Sequence, residues 1–236
     1  MVGCLVIHGY TGGPYEVEPL VTYLKQKTDW NIVVPTLPGH GEKLALENIS
    51  HDKWIESAEE NLLKLNAEHE QVYLIGFSMG GMIAAYLSAK YKVDKLVLLA
   101  PAGKYLSFKQ ISVEFGELLM DGLKGNLTNN LVYNHYRKKW KTVPFKSTFE
   151  FMKLVKHTRH FLTEIKIPVF IAQGQLDSLV PAKTIHYLDK KIASTEKEFV
   201  LFDRSKHMIC LGDDKNTLNA MVHNFLLKKS VQKQLT

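Results

Sequence analysis

Six apolar runs, at residues 3–8, 31–34, 71–76, 95–100, 167–172 and 198–202, alternate along the chain with stretches of helical spacing. Repeated strand and helix is the pattern of a parallel sheet covered on both faces, because each crossover needs a helix and each doubly buried strand reads as a continuous apolar run. The sequence therefore predicts an α/β fold with about six mainly parallel strands. Helices are predicted from Pro14 to Lys27 with proline at the start, from Ser50 to Glu68 with Ser50 as cap, and from Met79 to Tyr91, Pro181 to Ile192 and Lys215 to Lys229. The alternation breaks between Gly103 and Thr163, where Phe108, Ile111, Phe115, Leu118 and Leu119, then Leu131, Tyr133, Tyr136 and Trp140, keep helical spacing with no strand between them. This stretch is expected to form a helical cap, 104–163, inserted into a core made of 1–103 and 164–236. A chain of 236 residues, 45% of them hydrophobic, suffices for one such core with an insertion.

The pentapeptide Gly76-Phe77-Ser78-Met79-Gly80 joins the strand around Val72 to Ile75 to the helix that follows. A strand, a sharp turn and a helix around G-x-S-x-G make a nucleophile elbow, whose strained central residue tolerates only very small neighbours two positions away on either side. Ser78 is the expected nucleophile. Its partners should lie where other parallel strands end, since sites in open α/β sheets form outside the carboxyl ends of strands. The turn Gln173-Gly174-Gln175-Leu176-Asp177 carries Asp177 to that edge, and the loop Asp203-Arg204-Ser205-Lys206-His207 carries His207 there. His207 would take the Ser78 proton and Asp177 would hold its tautomer. Asp203 is the rival acid, but it shares a loop with His207, whereas the acid in this motif order follows an earlier strand.

Other readings of the polar residues are plainer. His8 is expected to brace the Gly-rich segment His8-Gly9-Tyr10-Thr11-Gly12-Gly13, His40 to sit in the Pro38-Gly39-His40-Gly41 turn, and His51, His69, His186 and His223 to fall on helices. An oxyanion needs two preorganised donors, and the backbone amides of Tyr10 and Met79 are the natural pair, the second at a helix N-terminus. The glycines at 9, 12 and 13 do not fit G-x-G-x-x-G and no Walker lysine follows, so no nucleotide or other cofactor is expected. Histidine and cysteine spacing does not suit a metal either.

The segments HGYTGG, PGHG, GFSMGG, GQLDSLVP and SKHM resemble those of α/β-hydrolase carboxylesterases and monoacylglycerol lipases of bacterial type. The resemblance spans residues 1 to about 103 and about 164 to 230, and is weak between them. It implies Ser78, Asp177 and His207 as a catalytic triad, Tyr10 and Met79 as oxyanion donors, and short- to medium-chain acyl esters or monoacylglycerols as substrates. Thioester, amide or carbon-carbon cleavage on the same triad stays open, as does a ligand receptor on the same fold. With the first strand at Val2, the two leading strands common in such proteins are not expected, which leaves about six strands and edges to protect.

The net charge of +6 is unevenly placed. Residues 104–166 hold twelve lysines and arginines against five acids, whereas the remaining eighteen basic and nineteen acidic residues nearly cancel. Such a run is either a solvated face or, with Phe115, Tyr133, Tyr136, Trp140 and Phe145, a surface that attracts anionic lipid or amphiphilic acyl substrates. No nucleic-acid module accompanies it. The apolar start, Val2 to Ile7, is too short and lacks the charged lead of a secretion signal, and no run approaches a membrane span. Cys4 and Cys210, expected at opposite edges of the sheet, should remain reduced thiols, in keeping with a cytosolic protein. If the basic stretch meets lipid, reversing the charge of Lys138, Lys139 and Lys141 will depress turnover on lipid dispersions and spare soluble esters. Equal effects on both would refute that use.

Overall fold

The middle of the sheet is made by four strands that are buried on both faces: β1 (Val2–Ile7), β3 (Gln71–Phe77), β4 (Lys95–Leu99) and β5 (Val169–Gly174). Edge strands β2 (Asn31–Val33) and β6 (Lys197–Phe202) are more exposed, and all neighbours pair in parallel in the order β2-β1-β3-β4-β5-β6. The computed structural model from which this architecture is drawn describes residues 1–104 and 143–229. The run from Phe108 to Trp140 and the lysines at 138, 139 and 141 lie outside those residues.

Side chains alternate across the sheet with the two-residue period of a strand, and two apolar layers follow. Leu5, Ile7, Leu74, Leu96, Leu98 and Ile171 face one way, toward α2 (His51–Glu68), α3 (Met79–Lys90) and α5 (Thr184–Lys191). Cys4, Val6, Ile75, Val97, Leu99 and Phe170 face the other, toward α1 (Glu18–Lys27) and α6 (Lys215–Leu227). Both cysteines are free and buried in this second layer, on one face of the sheet. Burial pushes the Cys4 thiol up to about 12 and raises Cys210 as well, which leaves neither with appreciable thiolate.

Several of the predicted elements differ in detail, among them the helix expected from Pro181 to Ile192, which opens only at Thr184 and ends at Lys191. The helix expected from Pro14 to Lys27 is broken into a 3-10 turn, Pro14–Glu16, and α1, because Pro19 has no amide to donate and its ring conflicts with a continuous helix behind it. Ser50 occupies the N-cap of α2 but makes no side-chain cap hydrogen bond. Instead the Glu150 carboxylate accepts from the His51 amide at 3.2 Å, an anion at a helix N-terminus supplied from elsewhere in the chain.

Glu150 belongs to α4 (Phe145–Thr158), which continues into a 3-10 helix, Arg159–Glu164. Phe151, Leu154, Val155 and Leu162 from this stretch are buried in the same layer as α3. Thus the returning part of the expected insertion is fused into the core face. At the opposite end of the sheet, the buried Lys95 ammonium donates to the carbonyls of Phe225 and Leu226, both at 2.9 Å, and to that of Lys228. It caps the C-terminus of α6, where the helix dipole favours a cation. No described helix is long and apolar enough to cross a membrane.

The Glu150 cluster ties α4 to α2. Burial by itself would raise the Glu150 carboxyl, but hydrogen bonds from Lys153 (2.8 Å), the His51 ring (2.7 Å) and the His51 amide outweigh it and hold the group at about 2. A carboxyl depressed in the folded state adds stability above its unfolded value of about 4.3, and that stability is lost as pH falls toward the folded value. Glu150→Gln should therefore cost about 1–2 kcal/mol at pH 7. In urea melts the difference from wild type should close between about pH 4.5 and pH 2; a gap that stays constant over that window would show that the charge contributes nothing.

Candidate active site

The sheet order turns outward in both directions from the junction of β1 and β3, which makes the carboxyl ends of these two strands the switch point where a crevice opens. The Gly-rich loop leaves β1 there and Ser78 follows β3. Ser78 has φ 53 and ψ −115, a conformation that L residues adopt only under constraint, and its amide donates to the Leu99 carbonyl at 2.8 Å. The flanking glycines are required by contact. A Cβ on Gly76 would lie 2.3 Å from the Gly80 carbonyl oxygen, and a Cβ on Gly80 would lie 2.3 Å from the Ile7 oxygen and 2.4 Å from that of His8. The first turn of α3 thus docks directly onto the end of β1.

Ser78, His207 and Asp177, separated by up to 129 residues, form one line of hydrogen bonds. The Ser78 hydroxyl donates to His207 Nε2 at 2.9 Å, and His207 Nδ1 donates to Asp177 Oδ2 at 2.7 Å. That sense is imposed by the carboxylate, which only accepts, so the neutral imidazole presents its lone pair to the hydroxyl. His207 is 1% exposed and Ser78 6%, which keeps the pair out of bulk water. The rival acid, Asp203, is exposed at the start of the loop. Loop contacts hold Asp177 and His207 in register: Gln175 and Leu176 amides donate to the Phe202 and Ser205 carbonyls, at 2.9 and 3.0 Å. Gly174 makes this approach feasible, since a Cβ there would meet the Ser205 oxygen at 2.3 Å.

Asp177 is held from four directions. Amides of Leu179 and Val180 donate to Oδ1 at 2.9 and 2.8 Å, while Oδ2 accepts from Gln173 Nε2 at 2.7 Å as well as from His207. Gln173 also donates to the Val180 carbonyl at 2.9 Å, and its Oε1 is buried without a partner. Turning the amide over would set that oxygen against two acceptors, so the orientation follows from the network. Gln173 escaped the sequence reading, although a fully polar side chain closing the apolar run of β5 was a signal of sorts.

The Gly-rich loop is braced from beneath. His8 Nε2 accepts from the Leu37 amide at 3.0 Å and Nδ1 donates to the Gly9 carbonyl at 2.9 Å, which is the bracing role its position suggested. Glu16, buried under the loop, accepts from the Gly9 amide at 2.8 Å, and its carboxylate fills the space that any side chain on Gly12 would need. Nothing in its sequence context marked Glu16. Thr11 is held at φ 62, a left-handed conformation that costs a β-branched residue about 1–3 kcal/mol. Met79 opens α3, so its amide is among those without an intrahelical partner, and Tyr10 lies in the loop that leaves β1. Strand ends, glycines and loop contacts therefore bring a hydroxyl, an imidazole and a carboxylate into one hydrogen-bonded line beside a helix N-terminus, an arrangement chemically suited to acyl transfer.

A family model described as serine aminopeptidase, S33, matches residues 3–214. The chain belongs to that family. Among curated relatives, a thermostable monoacylglycerol lipase of Bacillus sp. strain H-257 is 29% identical over 220 residues, 91% of this chain and 86% of the relative. A carboxylesterase of Bacillus subtilis strain 168 is 20% identical over 95% of this chain and 92% of its own length. A solved structure of the metagenome-derived lipolytic enzymes LipS and LipT superposes with a TM-score of 0.77 at 18% identity, covering 95% of this chain and 93% of that one. The fold is that of an α/β hydrolase, as the sequence motifs implied. Because backbone carbonyls oppose any side chain at position 80, Gly80→Ala should destabilise the protein by roughly 2–4 kcal/mol. Thermal unfolding followed by circular dichroism checks this, and an unchanged midpoint would mean that the α3 turn is not seated on β1 as described.

Proposed function

We propose that the chain is a serine carboxylesterase that cleaves short- to medium-chain acyl esters or monoacylglycerols through an acyl-enzyme. The observation that carries the reading is the hydrogen-bonded line from Ser78 through His207 to Asp177. In this mechanism Ser78 Oγ attacks the ester carbonyl carbon while its proton passes to His207 Nε2. The tetrahedral oxyanion is held by the amides of Tyr10 and Met79, the latter aided by the positive end of α3. The imidazolium, stabilised by Asp177, then gives its proton to the departing alkoxide, leaving Ser78 acylated and an alcohol released. Water enters, His207 takes its proton as it attacks the acyl carbon, and the carboxylic acid leaves as Ser78 recovers the proton.

Ester substrates are favoured by the lipase and carboxylesterase names of the relatives, which span nearly the whole chain. The family's description as an aminopeptidase keeps amide cleavage as the second reading. Two free, buried thiols accord with a reducing, cytosolic setting. A fluorophosphonate should modify Ser78, located by mass spectrometry, and p-nitrophenyl esters of increasing chain length and a monoacylglycerol should be turned over faster than matched thioesters and amides. Ser78→Ala should lower ester turnover by about 10⁴ to 10⁶, in line with other triads. Retention of rate by that variant would end the assignment, and a faster amide rate would move it to the second reading.

A further inference from the structure

The side chain of Tyr10 leaves the rim and enters α4. Its ring stacks on Phe151, with centroids 4.8 Å apart and planes 11° from parallel, and lies 5.9 Å from Trp54. Its hydroxyl reaches Ser147 Oγ at 2.7 Å and Thr148 Oγ1 at 3.3 Å, in the first turn of α4. Ser147 Oγ donates its own proton to the Pro144 carbonyl at 2.7 Å, so it accepts from Tyr10, and the Tyr10 oxygen is left to accept from Thr148. Burial raises the phenol, against the opposing pull of Ser147 and Thr148, which keeps the hydroxyl protonated and able to donate.

We propose that the Tyr10 hydroxyl is a positioning group for oxyanion stabilisation, fastening the loop that offers one amide donor to the helix that returns from residues 105–142. The inference rests on the esterase reading of Ser78. Its physical ground is the strain in the loop: Thr11, the next residue, sits at φ 62, and such a conformation persists only where the surroundings over-determine it. Contacts on both sides of it do so: Glu16 holds the Gly9 amide from below, the Gly41 amide donates to the Gly12 carbonyl at 2.9 Å, and Ser147 holds the Tyr10 side chain from α4. With the Ser147 contact cut, the peptide from Gly9 to Gly12 is free to relax and the Tyr10 amide loses its aim. An amide that engages the oxyanion acts in the transition state and hardly in the ground state, so the loss falls on kcat and not on KM.

The experiment uses Tyr10→Phe, which keeps the stack on Phe151, and Ser147→Ala, which removes the acceptor without touching the ring. With p-nitrophenyl butyrate each should lower kcat about 10-fold at nearly constant KM, and each should weaken an alkylboronic acid, which forms a tetrahedral adduct at Ser78, by about the same factor. The double variant should be no worse than either single one, because both cut a single contact. Ser147→Thr, which retains the acceptor, should restore the rate. The proposal is overturned if kcat stays within about twofold of wild type in both single variants, if their losses add, or if thermal stability falls while boronate affinity holds. Fluorophosphonate labelling of the wild type separates the two levels. No adduct at Ser78 sinks the esterase reading itself, whereas an adduct together with an unaltered Tyr10→Phe rate sinks the positioning role alone.

Discussion

The contact between the first turn of α3 and the last carbonyls of β1 sets the geometry of the whole rim. Those of Ile7 and His8 approach Gly80 so closely that no Cβ fits between them, and the same packing forces Ser78 into a left-handed conformation. One close approach thereby delivers two results. The hydroxyl is lifted out of the line of β3, and the N-terminus of α3 is laid beside the loop that leaves β1. Bringing a helix terminus, a strained serine and a glycine loop together by backbone contact places the Ser78 hydroxyl on a stiff part of the fold.

Electrostatics then finishes what packing begins. The Asp177 carboxylate, buried at the end of β5, receives four donors and spends one of its accepting positions on the imidazole. A charge that is fully hydrogen-bonded away from water stays where it is put, and so does the ring it holds. Gln173 shows the hierarchy of demands at this point: its two N–H donors are committed to Asp177 and Val180 while its oxygen goes without a partner. Leaving one buried acceptor unsatisfied is tolerated where orienting a neighbouring carboxylate matters more.

Much of this was legible in the residues, for a physical reason in each case. Strands buried on both faces must be continuously apolar, so Val72 to Ile75 and Val169 to Ala172 announced themselves, and the alternation between them implied parallel pairing. Gly76 and Gly80 flanking Ser78 encode a turn that other residues cannot make, while Asp177 and His207 each follow a strand end, where the topology gathers loops. The supports were not legible, because they act across long separations. Glu150 reaches His51 over 99 residues, and Ser147 reaches Tyr10 over 137, with no local pattern to signal either meeting. Ser50, conversely, had every local mark of a capping side chain, yet the carboxylate of Glu150 serves the α2 amide instead. The break at Pro19 was written in the sequence and is explained by proline stereochemistry.

Lys95 carries a consequence for how the molecule holds together. The cation stands at the start of β4, in the centre of the sheet, yet the carbonyls that receive its three protons belong to the end of α6, more than 130 residues later in the case of Lys228. Without those carbonyls the ammonium would have to keep its water, because a buried cation with no acceptors is costly. The start of β4 and the end of α6 are thereby coupled, and neither is fully satisfied without the other.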